Sequence, residues 1–166
     1  HRELELYQQV GMTPAQILTR ATWDMANYLG QGATLGSVEQ GKLALQDKDA
    51  VLANLTFSAE FGAIADSDLV IETIAEHEQA KLEVLAAIAA TVKPDTLIAT
   101  NTSSLSLNKL ATAVTHSELF IGLHFFNPAP LMKLIEIIPA YFTAQVTTER
   151  CRQLVAALGK RDVVYQ

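Results

Sequence analysis

Apolar residues along this chain fall into two textures. Over residues 1–29 they recur at helical spacing, with Ile17, Leu18, Ala21, Met25, Tyr28 and Leu29 in step behind Thr13-Pro14-Ala15-Gln16, a capping box with proline at the first helical position. Gly30, Gly32 and Gly36 interrupt that pattern, and a charged helical stretch is expected from Val38 to about Leu55. From Leu55 the texture becomes short apolar runs alternating with helical segments. LTFSA and DLVIETI read as strands, EQAKLEVLAAIAATV as a helix with Leu82, Leu85, Ile88 and Val92 on one face, and LIATN as a buried strand. A helix from about Leu107 to Val114 follows, with Ser106 as its cap. FIGLHFF and LIEII are strands on either side of the Asn127-Pro128-Ala129-Pro130 turn. A helix from Thr148 to Leu158 stops at Gly159 and leads to a last strand, DVVY. This alternation predicts an α/β fold with a mostly parallel sheet and flanking helices, preceded by a helical N-terminal segment.

Composition narrows the function classes. The 166 residues are 49% hydrophobic and 18% charged, ordinary values for one globular domain with a real core. A net charge of −6 argues against a general nucleic-acid binder. No apolar run approaches the ~20 residues a membrane helix needs, so no membrane partner is expected. The single cysteine, Cys151, rules out an internal disulfide framework and a cysteine-based zinc site; its spacing with Leu154, Val155 and Leu158 makes it a buried helix residue. A reduced, cytoplasmic setting fits. The chain opens on His1, which reads as a processed or incomplete start.

The chemistry gathers between Thr96 and Pro139, where Ser103, His124 and Glu136 stand at or beside the ends of apolar runs. Strand ends facing a crevice are where open α/β sheets carry ligands. A lone histidine near an apolar strand is more often structural than catalytic. Glu136, however, lies amid branched aliphatics in LIEII and needs a partner there, and orienting an imidazolium is a good reason for it. Serine, histidine and carboxylate together suit moving a proton on and off a hydroxyl. No G-x-S-x-G elbow surrounds the serines of Asn101-Thr102-Ser103-Ser104, which weakens a hydrolase reading. Glu76 and Lys81 lie just past DLVIE, where a cofactor could lie; taken alone they read as solvated helix residues. Gly30-Gln31-Gly32-Ala33-Thr34-Leu35-Gly36 is spaced G-x-G-x-x-x-G and follows a helical rather than a strand pattern, so it does not make a dinucleotide fingerprint. His1, His77 and His116 show no metal-ligand spacing and read as solvated, and no metal site is expected.

SDLVIETIAEHEQAK, LIATNTSSLSL, FIGLHFFNPAPLMKLIEII and ALGK, in that order, resemble the 3-hydroxyacyl-CoA dehydrogenase family from near Gly41 to the end. The resemblance implies a partial Rossmann-like domain and NAD-dependent oxidation of a (3S)-3-hydroxyacyl-CoA to the 3-ketoacyl-CoA in fatty-acid β-oxidation. By motif position it makes His124 the general base, Glu136 its orienting partner and Ser103 a hydrogen-bond donor to substrate oxygen that also reaches the nicotinamide. Glu76, Lys81 and Asn127 fall on positions that contact NAD, with Asn101 close by. Full-length relatives are expected to be homodimers or parts of a multifunctional β-oxidation enzyme.

The sequence departs from that family in lacking its opening strand and glycine-rich turn and its helical C-terminal domain, so little activity is expected of the chain alone. Residues 1–40 resemble instead the C-terminal end of imidazolonepropionase-like amidohydrolases. A fusion near Gly41-Lys42-Leu43-Ala44 is therefore expected, with a helical segment over 1–42 and a partial NAD-binding domain over 43–166. The alternatives are a non-enzymatic α/β binding module and a remnant of a metal-dependent amidohydrolase.

Overall fold

The computed structural model describes residues 53–129 and 131–165. The chain divides into two compact units, His1–Ser58 and Ala59–Gln166. The expected N-terminal helix, the Gly30–Gly36 run and the seam near Gly41 lie outside the described residues.

In the second unit five strands form one sheet in the order β1-β2-β3-β4-β5: β1 Leu69–Glu72, β2 Leu97–Thr100, β3 Phe120–Phe125, β4 Leu134–Pro139 and β5 Arg161–Val164. β1, β2 and β3 run parallel, β4 runs antiparallel to β3, and β5 runs parallel to β4. Helix α1, Glu78–Thr91, connects β1 to β2; α2, Leu107–Leu110, lies between β2 and β3; α3, Gln145–Ala157, joins β4 to β5.

Alternation along the strands assigns the two faces. Ile98, Phe120 and Ile138 turn to one side, where Leu85 and Ile88 of α1 and Leu107 and Leu110 of α2 cover them. Ala99, Ile121, Leu123, Ile135 and Ile137 turn to the other, against Cys151 and Val155 of α3. Both faces of the central strands are dry, which is why their sequences are near-continuous apolar runs.

The helix ends follow local chemistry. His77 caps α1, its Nδ1 accepting from the Ala80 amide at 3.3 Å, and Ser106 caps α2 by accepting from Lys109 N. Past α3, Gly159 sits at φ 67°, with its amide donating to Ala156 O and that of Lys160 to Val155 O. This left-handed stop favours glycine and turns the chain into β5.

Three expectations change. Residues 55–58 form no strand: LTFSA lacks a paired neighbour among the described residues, and Leu55 and Phe57 stay exposed. The helix expected over Leu107–Val114 ends at Leu110 and tightens into a 3-10 turn over Ala111–Ala113. Lys81 is not a solvated helix residue; it is only 1% exposed.

Candidate active site

Gly122 is the local cause of the site's geometry. A Cβ on it would lie 2.6 Å from Leu107 Cδ1, 3.1 Å from Ile138 Cβ and 3.2 Å from Ile138 O. With glycine there, Leu107 settles directly on the sheet, and the loop from Asn101 to Ser106 is drawn across the end of β3. Asn101 fastens that loop: its Oδ1 accepts from Phe125 N at 2.7 Å, tying the exit of β2 to the last residue of β3.

The result joins the three residues singled out from the sequence. His124 and Glu136 are cross-strand partners in the β3–β4 register. His124 Nδ1 is 2.7 Å from Glu136 Oε2, and Ser103 Oγ is 3.0 Å from His124 Nε2. Hydrogen bonds from His124, and then from Tyr165, hold the Glu136 carboxyl below its ordinary value of 4.5. Glu136 is therefore ionised and acceptor-only near neutral pH, so Nδ1 carries a proton, and in the neutral imidazole Nε2 is then an acceptor. The Ser103 hydroxyl donates to it. Phe126 lies against the imidazole, ring centroids 4.7 Å apart, and limits water on that side. The His124 and Glu136 side chains keep 14% and 17% exposure, enough for a substrate to reach the ring.

Glu76 holds the serine loop from behind. Its Oε1 accepts from Thr102 Oγ1, Ser103 N, Ser104 N and Ser104 Oγ at 2.5, 2.9, 3.0 and 3.1 Å. Burial pushes this carboxyl up, but the bonds from Thr102, Ser103 and Ser104 outweigh it and bring the group below 4.5. This contact also decides a chemical question. Ser103, His124 and Glu136 have the spacing of a hydrolytic triad, but an acyl-transfer site also wants free donors, commonly backbone amides beside the nucleophile, for its oxyanion. Here the Ser103 and Ser104 amides are bound to a carboxylate, whose charge repels an oxyanion. The arrangement suits proton exchange with a substrate hydroxyl.

Lys81 and Asn127 stand apart from this cluster. Lys81 Nζ donates to Glu72 Oε1 at 2.8 Å, Glu72 Oε2 at 3.1 Å and Ile74 O at 3.1 Å, and lies 3.6 Å from Glu76 Oε2. Its three protons are thus directed into the fold. Asn127 is exposed in the turn after β3. Lys160 steadies that turn by donating to Ala129 O and Met132 O, both at 2.7 Å. Sequence reasoning missed Glu72, Thr100, Gly122 and Tyr165. The signal for Glu72 was present, an acid closing a buried strand, and its partners are Lys81 and Thr100 Oγ1, the latter at 2.6 Å. Tyr165 gave no signal; its hydroxyl donates to Glu136 Oε1 at 2.7 Å.

A strand-end cluster of this kind, on a mostly parallel sheet, stands where open α/β domains carry their ligands and chemistry. Comparison with known proteins gives the family. A family model described as "3-hydroxyacyl-CoA dehydrogenase, NAD binding domain" matches residues 13–166, and the chain belongs to that family. A 3-hydroxybutyryl-CoA dehydrogenase of Bradyrhizobium diazoefficiens is 40% identical over 117 residues, covering 70% of this chain and 40% of the relative. A probable 3-hydroxybutyryl-CoA dehydrogenase of Deinococcus radiodurans is 34% identical over 163 residues, 92% of this chain and 59% of the relative. The crystal structure of a 3-hydroxybutyryl-CoA dehydrogenase from Escherichia coli K12 superposes with a TM-score of 0.74 at 36% identity, covering 90% of this chain and 31% of that one. The chain thus spans only part of the length of the relatives it matches. The family match begins at Thr13, inside the segment likened to an amidohydrolase, and nothing in these matches supports that second likeness.

Proposed function

We propose that this chain supplies the proton-transfer and nicotinamide-facing part of an NAD-dependent dehydrogenase acting on (3S)-3-hydroxyacyl-CoA thioesters. The observation that carries the reading is the relay Ser103–His124–Glu136, whose one open acceptor, Nε2, faces a hydroxyl donor at 3.0 Å. A substrate 3-hydroxyl entering beside Ser103 hands its proton to Nε2. Ser103 keeps a hydrogen bond on the same oxygen, and Glu136 stabilises the imidazolium that forms. NAD, when bound, supplies the hydride acceptor.

The residues at the strand ends fit the nicotinamide end of that cofactor. Glu76 Oε2 lies 3.6 Å from Lys81 Nζ, Ser103 and Asn101 line the exit of β2, and Asn127 lies exposed after β3. Lys81 contributes through Glu72 and Glu76 rather than with a free ammonium. A cleft of about 290 Å³ opens beside Ser103, between Leu107 and Ile138, where a thioester could approach. In the same reading residues 43–166 form the nucleotide-binding part, working in the cytoplasm within a homodimer or a multifunctional β-oxidation enzyme.

The test is calorimetric titration with NADH followed by acetoacetyl-CoA-dependent NADH oxidation, in the wild type and in His124→Gln. Cofactor binding retained in both, with a low rate of NADH oxidation in the wild type that His124→Gln abolishes, supports the reading. A chain that self-associates and ignores NADH is a binding module instead.

A further inference from the structure

The Glu136 carboxylate serves two donors at once. Oε2 receives His124 Nδ1 at 2.7 Å and Oε1 receives the Tyr165 hydroxyl at 2.7 Å. The two arrive from opposite sides, His124 from β3 and Tyr165 from the residue after β5. The main chain fixes both approaches. His124 and Glu136 are paired in register, and Tyr165 N donates to Ile137 O at 3.0 Å, extending the β4–β5 ladder by one residue. Tyr165 therefore stands on the same face of the sheet as Glu136, although 29 residues separate them in the chain.

We propose that Tyr165 is a positioning residue of the acid–base pair: its hydroxyl clamps one oxygen of Glu136 so that the other meets His124, and by sharing the carboxylate's charge it lowers the proton affinity of the imidazole. A carboxylate that accepts a second strong hydrogen bond is a weaker acceptor toward the first. With Tyr165 in place, Glu136 steers the ring without holding its proton too tightly, and His124 can release that proton once the substrate has reacted. The raised value of the Tyr165 phenol, caused by its bond to Glu136, accords with a hydroxyl that stays protonated and donating.

The surroundings of the pair are otherwise simple. Ser103, from the loop after β2, meets the imidazole at Nε2, and Phe126 lies across its ring. The Glu76 carboxylate sits behind the Ser103 backbone. Among the described residues no other charged side chain makes a hydrogen bond or ion pair with His124 or Glu136.

This inference rests on the proposed acid–base role of His124, but its test needs neither cofactor nor substrate. Side-chain NMR of the full chain follows the protonation of His124, assigned by its loss in His124→Gln, in the wild type, Tyr165→Phe, Glu136→Gln and the double variant. Tyr165→Phe should raise the His124 midpoint by about half a unit, roughly threefold in proton affinity. The same change in the Glu136→Gln background should leave it unmoved. An unchanged midpoint in Tyr165→Phe, or an equal shift without the carboxylate, overturns the proposal. Should Glu136→Gln fail to fold, the Glu136 carboxyl resonance decides: its own midpoint must rise in Tyr165→Phe, and if it stays put the clamp is refuted. A chain that shows the His124 shift but binds no NADH keeps the clamp and loses the dehydrogenase reading; the reverse result keeps the dehydrogenase and loses the clamp.

Discussion

Two polar clusters lie at the strand ends of one sheet, each built on a glutamate, and they have opposite fates. Glu72, Lys81 and Thr100 are sealed: the Lys81 and Glu72 side chains are 1% and 0% exposed, and every Lys81 proton is spent on an acceptor inside the fold. Ser103, His124, Glu136 and Tyr165 are open, with an imidazole nitrogen facing a hydroxyl that can exchange partners. What separates a structural cluster from a chemical one here is not the residue types but whether one bonding position remains available to a ligand. The sealed cluster fixes α1 and the exit of β1; the open one can carry a reaction because it is less complete.

The largest expected effect breaks the sealed side. Lys81→Met leaves Glu72 buried without its counter-charge and should cost about 3–5 kcal/mol, read as a shift in the urea midpoint. If stability hardly changes, the cluster is not sealed as described. On the open side, His124→Gln should lower dehydrogenase turnover by about 10²–10⁴-fold while moving stability by only about 0.5 kcal/mol. A variant that unfolds instead would place His124 with the structural cluster. Gly122→Ala joins the two sides. Its new methyl must displace Leu107, a cost of about 1–3 kcal/mol, and the Ser103 loop moves with it, so thermal melting and turnover should fall together. The acid limb gives a smaller contrast. The Glu76 carboxyl is lowered in the fold, so its contribution is present above 4.5 and is lost as the pH drops through the lower folded value. A stability–pH curve for Glu76→Gln should therefore be flatter than that of the wild type between that folded value and 4.5 and parallel to it above. Least of all should change at Cys151, whose thiol burial pushes up to about 11. Alkylation at mildly alkaline pH should be negligible until the chain is unfolded.

The legible parts of this molecule were those with a local signature. Buried strands announced themselves as apolar runs, α3 by its spacing and its glycine stop, and α2 by its serine cap. Ser103, His124 and Glu136 were legible because a carboxylate amid branched aliphatics demands a reason. The remainder depended on register. Whether Lys81 faces water or Glu72 is settled by the packing of α1 on β1, which no spacing within AEHEQAK encodes. Tyr165 reaches Glu136 only because β5 lies beside β4, a neighbourhood the sequence does not print. LTFSA misled because its alternation is a sufficient condition for an apolar face but not for a strand partner.

The antiparallel pairing of β3 with β4 has a consequence for how this site tolerates change. Ile135 and Ile137 flank Glu136 and are fully buried on the α3 side. A slip of one residue would exchange their places with the glutamate, driving an acid into the core and setting an isoleucine beside His124. Damage to the pairing is therefore felt first as misfolding, before it is felt as lost chemistry. The greasy neighbours of Glu136 act as its proofreaders: a chain whose hairpin has closed in the wrong frame cannot pack well enough to persist as an inactive impostor.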